Sequence, residues 1–560
     1  MATVTFNKEI FEREIGKFDE EMQQQIALFG TPIEFFDNKE IQVEIFPNRP
    51  DLLSYQGFKR AFLAYLNKKS HIGLKEYKIN KPLKDYIVYI DKSVEKIRPF
   101  TSCAIVKNLE FNDEKIKEII DIQEKLHFTL GRKRKKLAIG IYPLEKISLP
   151  ITYEALEPDK IKFQPLESNK IMHGLEILQR HPAGREYAHL LAGKQRFPIF
   201  IDSNNNILSM PPIINSHLTG KITESTKEVF IECSGFDFEI LNKCLNIIVT
   251  TLLEMSSDVQ AYQMQLIRKD QDKVLTPNLK QEKIKLNIKN AEKLLGIPLK
   301  PQEVKTYLER MGHDYDIKTG FVSYPAWRTD ILHEVDIIED IAIAYGYDKL
   351  IPELPEISTL GEEDKKSIIK NKIAEILVGL NLLEVSNYHL TLKENQISKM
   401  ELNEKQTGEI IDIEESKTEY NILRKDLSHY LLKVVSENVD SEYPQKIFEI
   451  GEVFKKDNLN EVIEEDKLSI ALTPGNFTDL KQIINYLFKN LNLEIELKEP
   501  ENNFPIHFIE GRVAELFIEN TSIGFAGEIH PKILKNWKIK MPVSLCEMSL
   551  EKVMELINKS

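Results

Sequence analysis

The chain has 560 residues, a formal net charge of −13, and a composition that is 42% hydrophobic and 29% charged. This length predicts several domains, about three to five at roughly 100–200 residues each. The acidic balance argues against nucleic acid as the only partner, because phosphate binding favours a basic surface. The dispersed cysteines indicate a reducing compartment. Neither a secretory signal nor an apolar run long enough to span a bilayer is visible, so we expect a cytoplasmic protein with no membrane contact.

The N-terminal region combines strand and helix patterns. Residues 41–45 alternate apolar and polar side chains, which predicts a half-buried strand. The following segment, 46–51, contains two prolines and an asparagine and predicts a turn. Either Asp51 or Ser54 is expected to cap a helix over residues 55–66.

The next regions are less regular. Residues 69–115 are rich in lysine and predict a linker with one or two strands. Residues 116–270 are typical of an α+β domain. Within them, two apolar segments flank three asparagines at 204–206, which predicts a β-hairpin over residues 197–210.

A new unit is predicted after Pro277. Its first strand lies near residues 284–288, and Asn290 is expected to cap the helix that follows. Further helices are predicted over residues 302–311 and 330–345. Prolines, glycine and acidic residues at 351–362 indicate a domain boundary, and a strand is predicted at 446–450.

Four carboxylates occur close together in the predicted helix 330–345. Asp336, Glu339 and Asp340 have the spacing of one helix face, and Asp330 lies near the predicted helix start. Because like charges at this spacing repel, a hard cation such as Mg²⁺ would stabilise them. The alternative is a solvated acidic face on which Asp330 is the N-cap.

Two other segments have chemical interest. Residues 132–136 are five consecutive cations, which suit a phosphate backbone but also suit a solvated loop. The segment 208–216 contains two consecutive prolines among small polar residues, and 231–235 lies downstream. A rigid turn of this kind lines a pocket or is simply a tight structural turn.

Together these segments resemble the beta subunit of phenylalanyl-tRNA synthetase, in its archaeal and eukaryotic form. The similarity is carried by motifs that follow one another in the family's order: Asn48 to Ser54, Gly184 to Leu191, Ser209 to Asn215, Tyr324 to Asp330 with Glu339–Asp340 and Tyr345 to Asp348, and Phe448 to Phe454.

The resemblance implies a multidomain α+β fold with four parts. We expect an N-terminal α+β domain at 1–85 and an α+β editing domain that binds tRNA at 86–270. A winged-helix-like, magnesium-associated domain is expected at 274–352. Residues 360–560 are expected to form a domain like a class II synthetase catalytic core, an antiparallel sheet with helices, that lacks the active site.

The resemblance also implies an α₂β₂ enzyme that attaches phenylalanine to tRNA(Phe) using ATP. The alpha subunit would bind ATP and phenylalanine. This chain alone is not expected to aminoacylate, because class II catalysis uses arginines to neutralise phosphate charge. No arginine follows Arg512, and Gly524 and Gly527 are the only glycines beyond it.

The family's metal positions correspond to acidic residues of this chain, which are expected to share Mg²⁺ with the alpha subunit. These residues are Asp330, Asp336, Glu339 and Asp340.

The family also hydrolyses tyrosine wrongly attached to tRNA(Phe). An apolar pocket rejects an added hydroxyl only about a hundredfold, so an editing pocket should offer that hydroxyl a partner. The resemblance makes Ser209, Glu232 and Ser234 the editing candidates, with Glu232 accepting the tyrosine O–H. Phe236 departs from the family pattern and adds bulk. A structural subunit with decayed editing is therefore the alternative, and a stand-alone RNA- or metal-binding protein is a third hypothesis.

Overall fold

The computed structural model describes residues 2–68, 70–268, 273–356, 359–402, 410–414, 416–457, 460–500 and 504–557. The chain divides into two compact units, Met1–Leu354 and Pro355–Ser560. The division falls inside the segment 351–362. The finer division of the first unit into three domains stays a prediction. In the described part of the chain, no helix is both long and apolar enough to cross a membrane.

The first unit is built on an eleven-stranded sheet, within the residues described. Nine strands follow one another across it in the order Ile214–Asn215, Ile207–Met210, Phe197–Ile201, Ile151–Leu156, Ile87–Ile90, Gln260–Arg268, Phe100–Lys107, Val229–Gly235 and Leu137–Pro143. Ile79–Asn80 and Val274–Thr276 also pair with Gln260–Arg268. The strand Val229–Gly235 is buried along its whole length, because it has a neighbour on each side and helices against the sheet.

Among the described residues of the first unit, three smaller sheets accompany the large one. Their strands, in spatial order, are Ala2–Asn7, Glu40–Ile45 and Ile33–Phe36; Glu282–Lys285, Phe321–Tyr324 and Asp314–Asp316; and the pair Met172–His173 and Lys162–Phe163. The described helices are Lys8–Glu14, Glu20–Leu28, Tyr55–Tyr65, Asp113–Phe128, Gly174–Arg180, Pro182–Tyr187, Phe238–Leu253, Ile288–Leu295, Pro301–Arg310 and Glu334–Tyr345.

Helix caps explain where several of these elements begin. Ser54 Oγ accepts the backbone N–H of Gly57 and caps the helix Tyr55–Tyr65, one of the two residues predicted to do so. Asp51 instead forms an ion pair with Arg49 at 2.9 Å. The expected cap at Asn290 is wrong, because Asn287 accepts the N–H of Lys289 and the helix begins one turn earlier.

The 69–115 segment contributes more to the fold than its composition suggests. It contains Ile87–Ile90 and Phe100–Lys107, which lie in the middle of the eleven-stranded sheet. Its lysines fall mainly in the connections. The predicted hairpin is confirmed, since Phe197–Ile201 pairs antiparallel with Ile207–Met210.

The second unit contains a seven-stranded sheet among its described residues. Its spatial order is Leu383–Glu384, Gln445–Lys456, Val462–Thr473, Ser544–Ser549, Thr521–Ile529, Phe508–Ile518 and Ile495–Lys498. The pairs are antiparallel except for the first, which is parallel. Leu390–Thr391 and Ile422–Leu423 form a separate pair, and the described helices are Lys365–Gly379, Ser428–Glu437, Phe477–Asn490, Pro531–Asn536 and Leu550–Ile557.

A buried ion pair joins a loop to the edge of this sheet. Arg424 Nη1 lies 2.6 Å from Glu449 Oε1, and each side chain is 2% exposed. Asn387 donates from its side chain to Glu449 Oε2 at 2.7 Å. The backbone of Gly451 approaches the guanidinium so closely that a Cβ there would clash with it.

Removing one member of this pair leaves the other charge buried and unpaired. We expect Glu449→Ala to destabilise the protein by about 3–5 kcal/mol, measured as a lower melting temperature of the second unit's unfolding transition. Glu464→Ala, an exposed position on the adjacent strand Val462–Thr473, is the matched control and should leave the transition within about 0.5 kcal/mol of wild type. Equal effects of the two substitutions would contradict the argument.

Candidate functional site

Glu232 lies in the middle of the fully buried strand Val229–Gly235, facing Gly140 on one neighbouring strand. Its side chain is 1% exposed. Tyr142 Oη donates to Glu232 Oε1 at 3.2 Å and is also 3.3 Å from Asn215 Oδ1. A Cβ at Gly140 would clash with both the Tyr142 hydroxyl and the Glu232 carboxylate. The absence of a side chain at Gly140 therefore makes room for this pair.

A cavity of about 150 Å³ opens beside Glu232. Ser209 lines it from the strand Ile207–Met210, and the Pro211–Pro212 turn forms another wall. Ser209 Oγ and Glu232 Oε2 are both buried and have no hydrogen-bond partner of good geometry among the described residues. Buried polar atoms are normally partnered. These two atoms therefore offer hydrogen-bonding capacity to a guest in the cavity.

The structure brings two of the three predicted editing residues to this cavity. Ser234 is not among its described lining residues. Its hydroxyl accepts from Arg98 Nε at 3.2 Å, and its carbonyl accepts from Arg98 Nη2 at 2.7 Å. Ser234 therefore anchors Arg98 within the site.

Phe236 does not narrow the cavity. Its side chain is 53% exposed, and its ring lies 5.4 Å from the Arg98 guanidinium. Phe236 is not among the residues that line the cavity, so the bulk of its ring does not fill it.

Burial dominates the electrostatics of Glu232. It raises the pKa of this carboxyl to about 8, although Arg98 and the hydroxyl groups of Tyr142 and Ser234 act in the opposite direction. Glu232 is therefore mostly protonated at neutral pH. A neutral carboxyl group both donates and accepts hydrogen bonds, whereas a carboxylate only accepts them. The neutral form therefore suits a guest hydroxyl group better than the charged form does.

The basic segment 132–136 is partly structural. Arg134 Nη1 donates to the carbonyl of Ile213 at 3.0 Å, and Nη2 donates to Glu124 at 2.8 Å. The guanidinium also lies 4.5 Å from the ring of Tyr187. Arg134 thus holds the proline turn in place and is not free for phosphate. Together with Tyr142 and Asn215 it supports the cavity. The sequence pattern did not reveal Tyr142, because it is one apolar-strand residue among many.

The four predicted metal ligands do not form a metal-binding cluster. Arg328 contacts Asp330 at 2.6 Å and Asp340 at 2.8 Å; Arg328 and Asp340 are buried, and the Asp330 side chain is 9% exposed. His313 donates from Nε2 to Asp340 at 2.7 Å. Among the residues described, no group of three or more acidic, histidine or cysteine side chains has a metal-binding arrangement.

The remaining two carboxylates have different surroundings. Asp336 accepts the backbone N–H groups of Leu332 and His333 at the start of the helix Glu334–Tyr345. His333 is the N-cap of this helix, so the alternative in which Asp330 caps it is wrong. Partial burial and then the nearby Asp340 and Asp330 raise the pKa of Glu339. Because Asp330 and Asp340 are neutralised by Arg328, the four residues do not fit Mg²⁺ as a joint ligand set, and the magnesium assignment stays a prediction.

The second unit contains a pocket of about 660 Å³ on its antiparallel sheet. Its described lining includes lysines but no arginine. Lys467 pairs with Glu547 at 2.9 Å and Lys455 with Glu465 at 3.2 Å. Arg512 lies elsewhere, 63% exposed and paired with Glu528. These two lysines are thus paired with carboxylates, which makes them poor partners for a triphosphate.

The chain is similar to known proteins of one family. Residues 351–550 match the family model "Phenylalanyl tRNA synthetase beta chain CLM domain", and residues 284–347 match "tRNA synthetase B5 domain". The phenylalanine–tRNA ligase beta subunit of Thermococcus sibiricus is 39% identical over 90% of this chain and 89% of that protein. The Methanosarcina barkeri subunit is 34% identical over the whole of both chains.

A solved structure of the same family is also similar to this chain. The N-terminal fragment of the phenylalanyl-tRNA synthetase beta subunit from Pyrococcus horikoshii aligns with a TM-score of 0.58 and 36% identity, covering 61% of this chain and 99% of the fragment. The protein is thus a component of an aminoacyl-tRNA synthetase. It belongs to the family of phenylalanine–tRNA ligase beta subunits, which confirms the resemblance seen in the sequence.

The raised pKa of Glu232 predicts a pH-dependent stability. The unfolded carboxyl ionises near pH 4.5 and the folded one near pH 8, so stability falls as pH rises between these values. We expect the melting temperature of Glu232→Gln to rise progressively above that of wild type from pH 5 to pH 8. The corresponding difference in the free energy of unfolding should reach the order of a few kcal/mol. Glu224→Gln, an exposed control, should follow wild type. Parallel melting curves for Glu232→Gln and wild type would contradict burial as the cause.

The Arg328 network predicts the opposite pH dependence. Burial alone would raise the pKa of Asp340, but the Arg328 guanidinium and His313 hold this pKa well below its usual range. The ionised Asp340 carboxylate therefore stabilises the folded protein above about pH 4, and this stabilisation is lost on acidification. Asp340→Asn should cost about 3–5 kcal/mol at pH 7, measured by thermal melting, and the difference should shrink below pH 4. Asp314→Asn is the exposed control. If a chelator lowers the stability of the wild-type protein at pH 7 as much as Asp340→Asn does, Asp340 is instead a metal ligand.

Proposed function

We propose that this chain, assembled with its alpha subunit, hydrolyses tyrosine wrongly esterified to tRNA(Phe) in the Glu232 cavity. The observation that carries the proposal is the pair of unpartnered buried atoms, Glu232 Oε2 and Ser209 Oγ, in two residues that line the cavity. A cavity of about 150 Å³ is large enough for a benzene-sized ring. A phenylalanine ring would leave both atoms without partners, whereas a tyrosine hydroxyl would satisfy one.

The protonation state assigns the role of Glu232. At neutral pH its raised pKa makes it a poor general base, so it acts by recognising the phenol. Because Tyr142 donates to Oε1, the free Oε2 carries the proton and donates it to the tyrosine hydroxyl oxygen, which is the reverse of the direction expected from the sequence. In the hydrolysis itself, a water oxygen bonds to the ester carbonyl carbon and the bond to the ribose oxygen breaks. One proton of the water passes to the ribose oxygen, the other is released to solvent, and tyrosine leaves as its carboxylate.

The surrounding assembly completes the proposal. Two copies of this chain and two alpha subunits would form the enzyme, with ATP and phenylalanine bound by the alpha subunit and the reaction taking place in the cytoplasm. Residues 86–270 would be the editing domain and 274–352 the winged-helix-like domain. The second unit would be a class II-like core without its active site, which is supported by a pocket lining that has no arginine among the described residues.

The test is deacylation of Tyr-tRNA(Phe) by the purified two-subunit enzyme. We expect Glu232→Ala to reduce the rate roughly a hundredfold, the effect of losing a strong buried hydrogen bond, and Ser209→Ala to reduce it less. Phenylalanine charging should not change, because it takes place on the alpha subunit. Glu224→Ala is the control. If the wild-type enzyme leaves Tyr-tRNA(Phe) intact while it charges phenylalanine, the alternative of a structural subunit with decayed editing replaces the proposal.

A further inference from the structure

A second concavity, a groove of about 640 Å³, lies next to the cavity in the first unit. The two share the turn formed by residues 129–136, called the basic turn below. Arg134 of this turn contacts the cavity wall, and Arg132 and Lys136 line the groove. The proposed hydrolysis does not use the groove.

The backbone of the basic turn is unusual. Arg132, Lys133 and Arg134 have φ values of 46°, 54° and 64°, so three consecutive side-chain-bearing residues adopt the left-handed region. Each such residue is energetically unfavourable. Hydrogen bonds from Arg134 N to the His127 carbonyl at 3.0 Å and from Lys136 N to the Gly131 carbonyl at 2.8 Å hold this conformation. As a result, cations of one short turn line two concavities: Arg134 lines the cavity, and Arg132 and Lys136 line the groove.

The groove combines positive charge with exposed aromatic surface. Phe128 is 57% exposed and Phe46 39% exposed, and both line the groove. Lys133 Nζ lies 5.5 Å from the Phe128 ring. Exposed aromatic rings flanked by cations are the elements by which proteins hold single-stranded nucleic acid, since bases stack on the rings and the cations follow the phosphates.

The acidic residues of the groove are already engaged. Asp237 accepts the N–H groups of Glu239 and Ile240 as a helix cap. Glu239 is 3.8 Å from Lys243. The described lining of the groove contains three cations, Arg132, Lys136 and Lys243, and these two carboxylates, so three minus two leaves a net charge of +1. That charge favours a polyanion over a neutral or basic peptide.

We propose that the groove binds the single-stranded 3′ end of the tRNA substrate, with the esterified amino acid entering the Glu232 cavity across the basic turn. This inference rests on the proposed editing function. The amino acid is covalently bonded to the terminal ribose, so an amino acid inside the cavity requires the adjacent nucleotides to lie on the surface next to the cavity. The groove is the neighbouring surface with both stacking and phosphate-binding groups.

The first experiment measures binding and is independent of hydrolysis. The affinity of the two-subunit enzyme for uncharged tRNA(Phe) is measured from low to moderate salt. We expect the double variant Arg132→Ala, Lys136→Ala to make the slope of log affinity against log salt shallower by about 1.4, or about 0.7 for each cation that contacts a single strand. Lys283→Ala, Lys289→Ala, a pair of exposed lysines elsewhere in the unit, is the matched control and should leave the slope unchanged.

The second experiment tests the aromatic surface. Phe128→Ala should raise the KM for Tyr-tRNA(Phe) deacylation about tenfold with little change in kcat, because one stacked base is lost. Phe321→Ala, which removes an aromatic ring that is 42% exposed, is the control and should leave KM unchanged.

The outcomes separate the two proposals. If the enzyme does not deacylate Tyr-tRNA(Phe) but the salt slope changes as expected, editing fails and RNA binding in the groove stands. If neither the slope nor the affinity for uncharged tRNA(Phe) changes in the Arg132 and Phe128 variants, the groove inference is overturned. It is also overturned if these variants release the alpha subunit at unchanged RNA affinity, which would make the groove a protein contact.

Discussion

Buried charge is the constraint on which the rest of this structure depends. Ionised groups removed from water must be paired or must lose their charge. In the first unit the Arg328 guanidinium neutralises Asp330 and Asp340, and in the second unit Arg424 neutralises Glu449. Glu232 follows the other route, since burial raises its pKa and it keeps its proton. The first two carboxylate sites are therefore architectural, whereas Glu232 keeps an atom available for a guest.

The basic turn shows how one short segment combines structure and recognition. Its left-handed backbone directs Arg134 to the carbonyl of Ile213 and leaves Arg132 and Lys136 on the groove. In a regular helix or strand, the direction of each side chain follows the period of the element. The left-handed turn instead directs cations that are close in sequence into two different concavities. The acidic charge of the whole chain is compatible with such a local basic surface.

The sequence predicted the elements whose signals are local. The alternation at 41–45, the asparagine turn before Ile207 and the capping role of Ser54 depend on neighbouring residues only, and the structure has them. Ordered motifs also identified the family. The interactions of Asp340 could not be predicted, because its partners Arg328 and His313 are 12 and 27 residues away along the chain. Tyr142 and Gly140 were missed for the same reason: their importance comes from lying opposite Glu232 on an adjacent strand.

Gly140 has a consequence for redesign. A single methyl group at this position would press on the Tyr142 hydroxyl and the Glu232 carboxyl together, without changing the surface or the charge of the protein. In an enzyme that removes tyrosine through this cavity, such a substitution would disable proofreading and leave the charging reaction in place. Ligases that retain hydroxylated phenylalanine analogues on tRNA are useful for incorporating unnatural amino acids, and this glycine is where the chain offers that change with the smallest possible side chain.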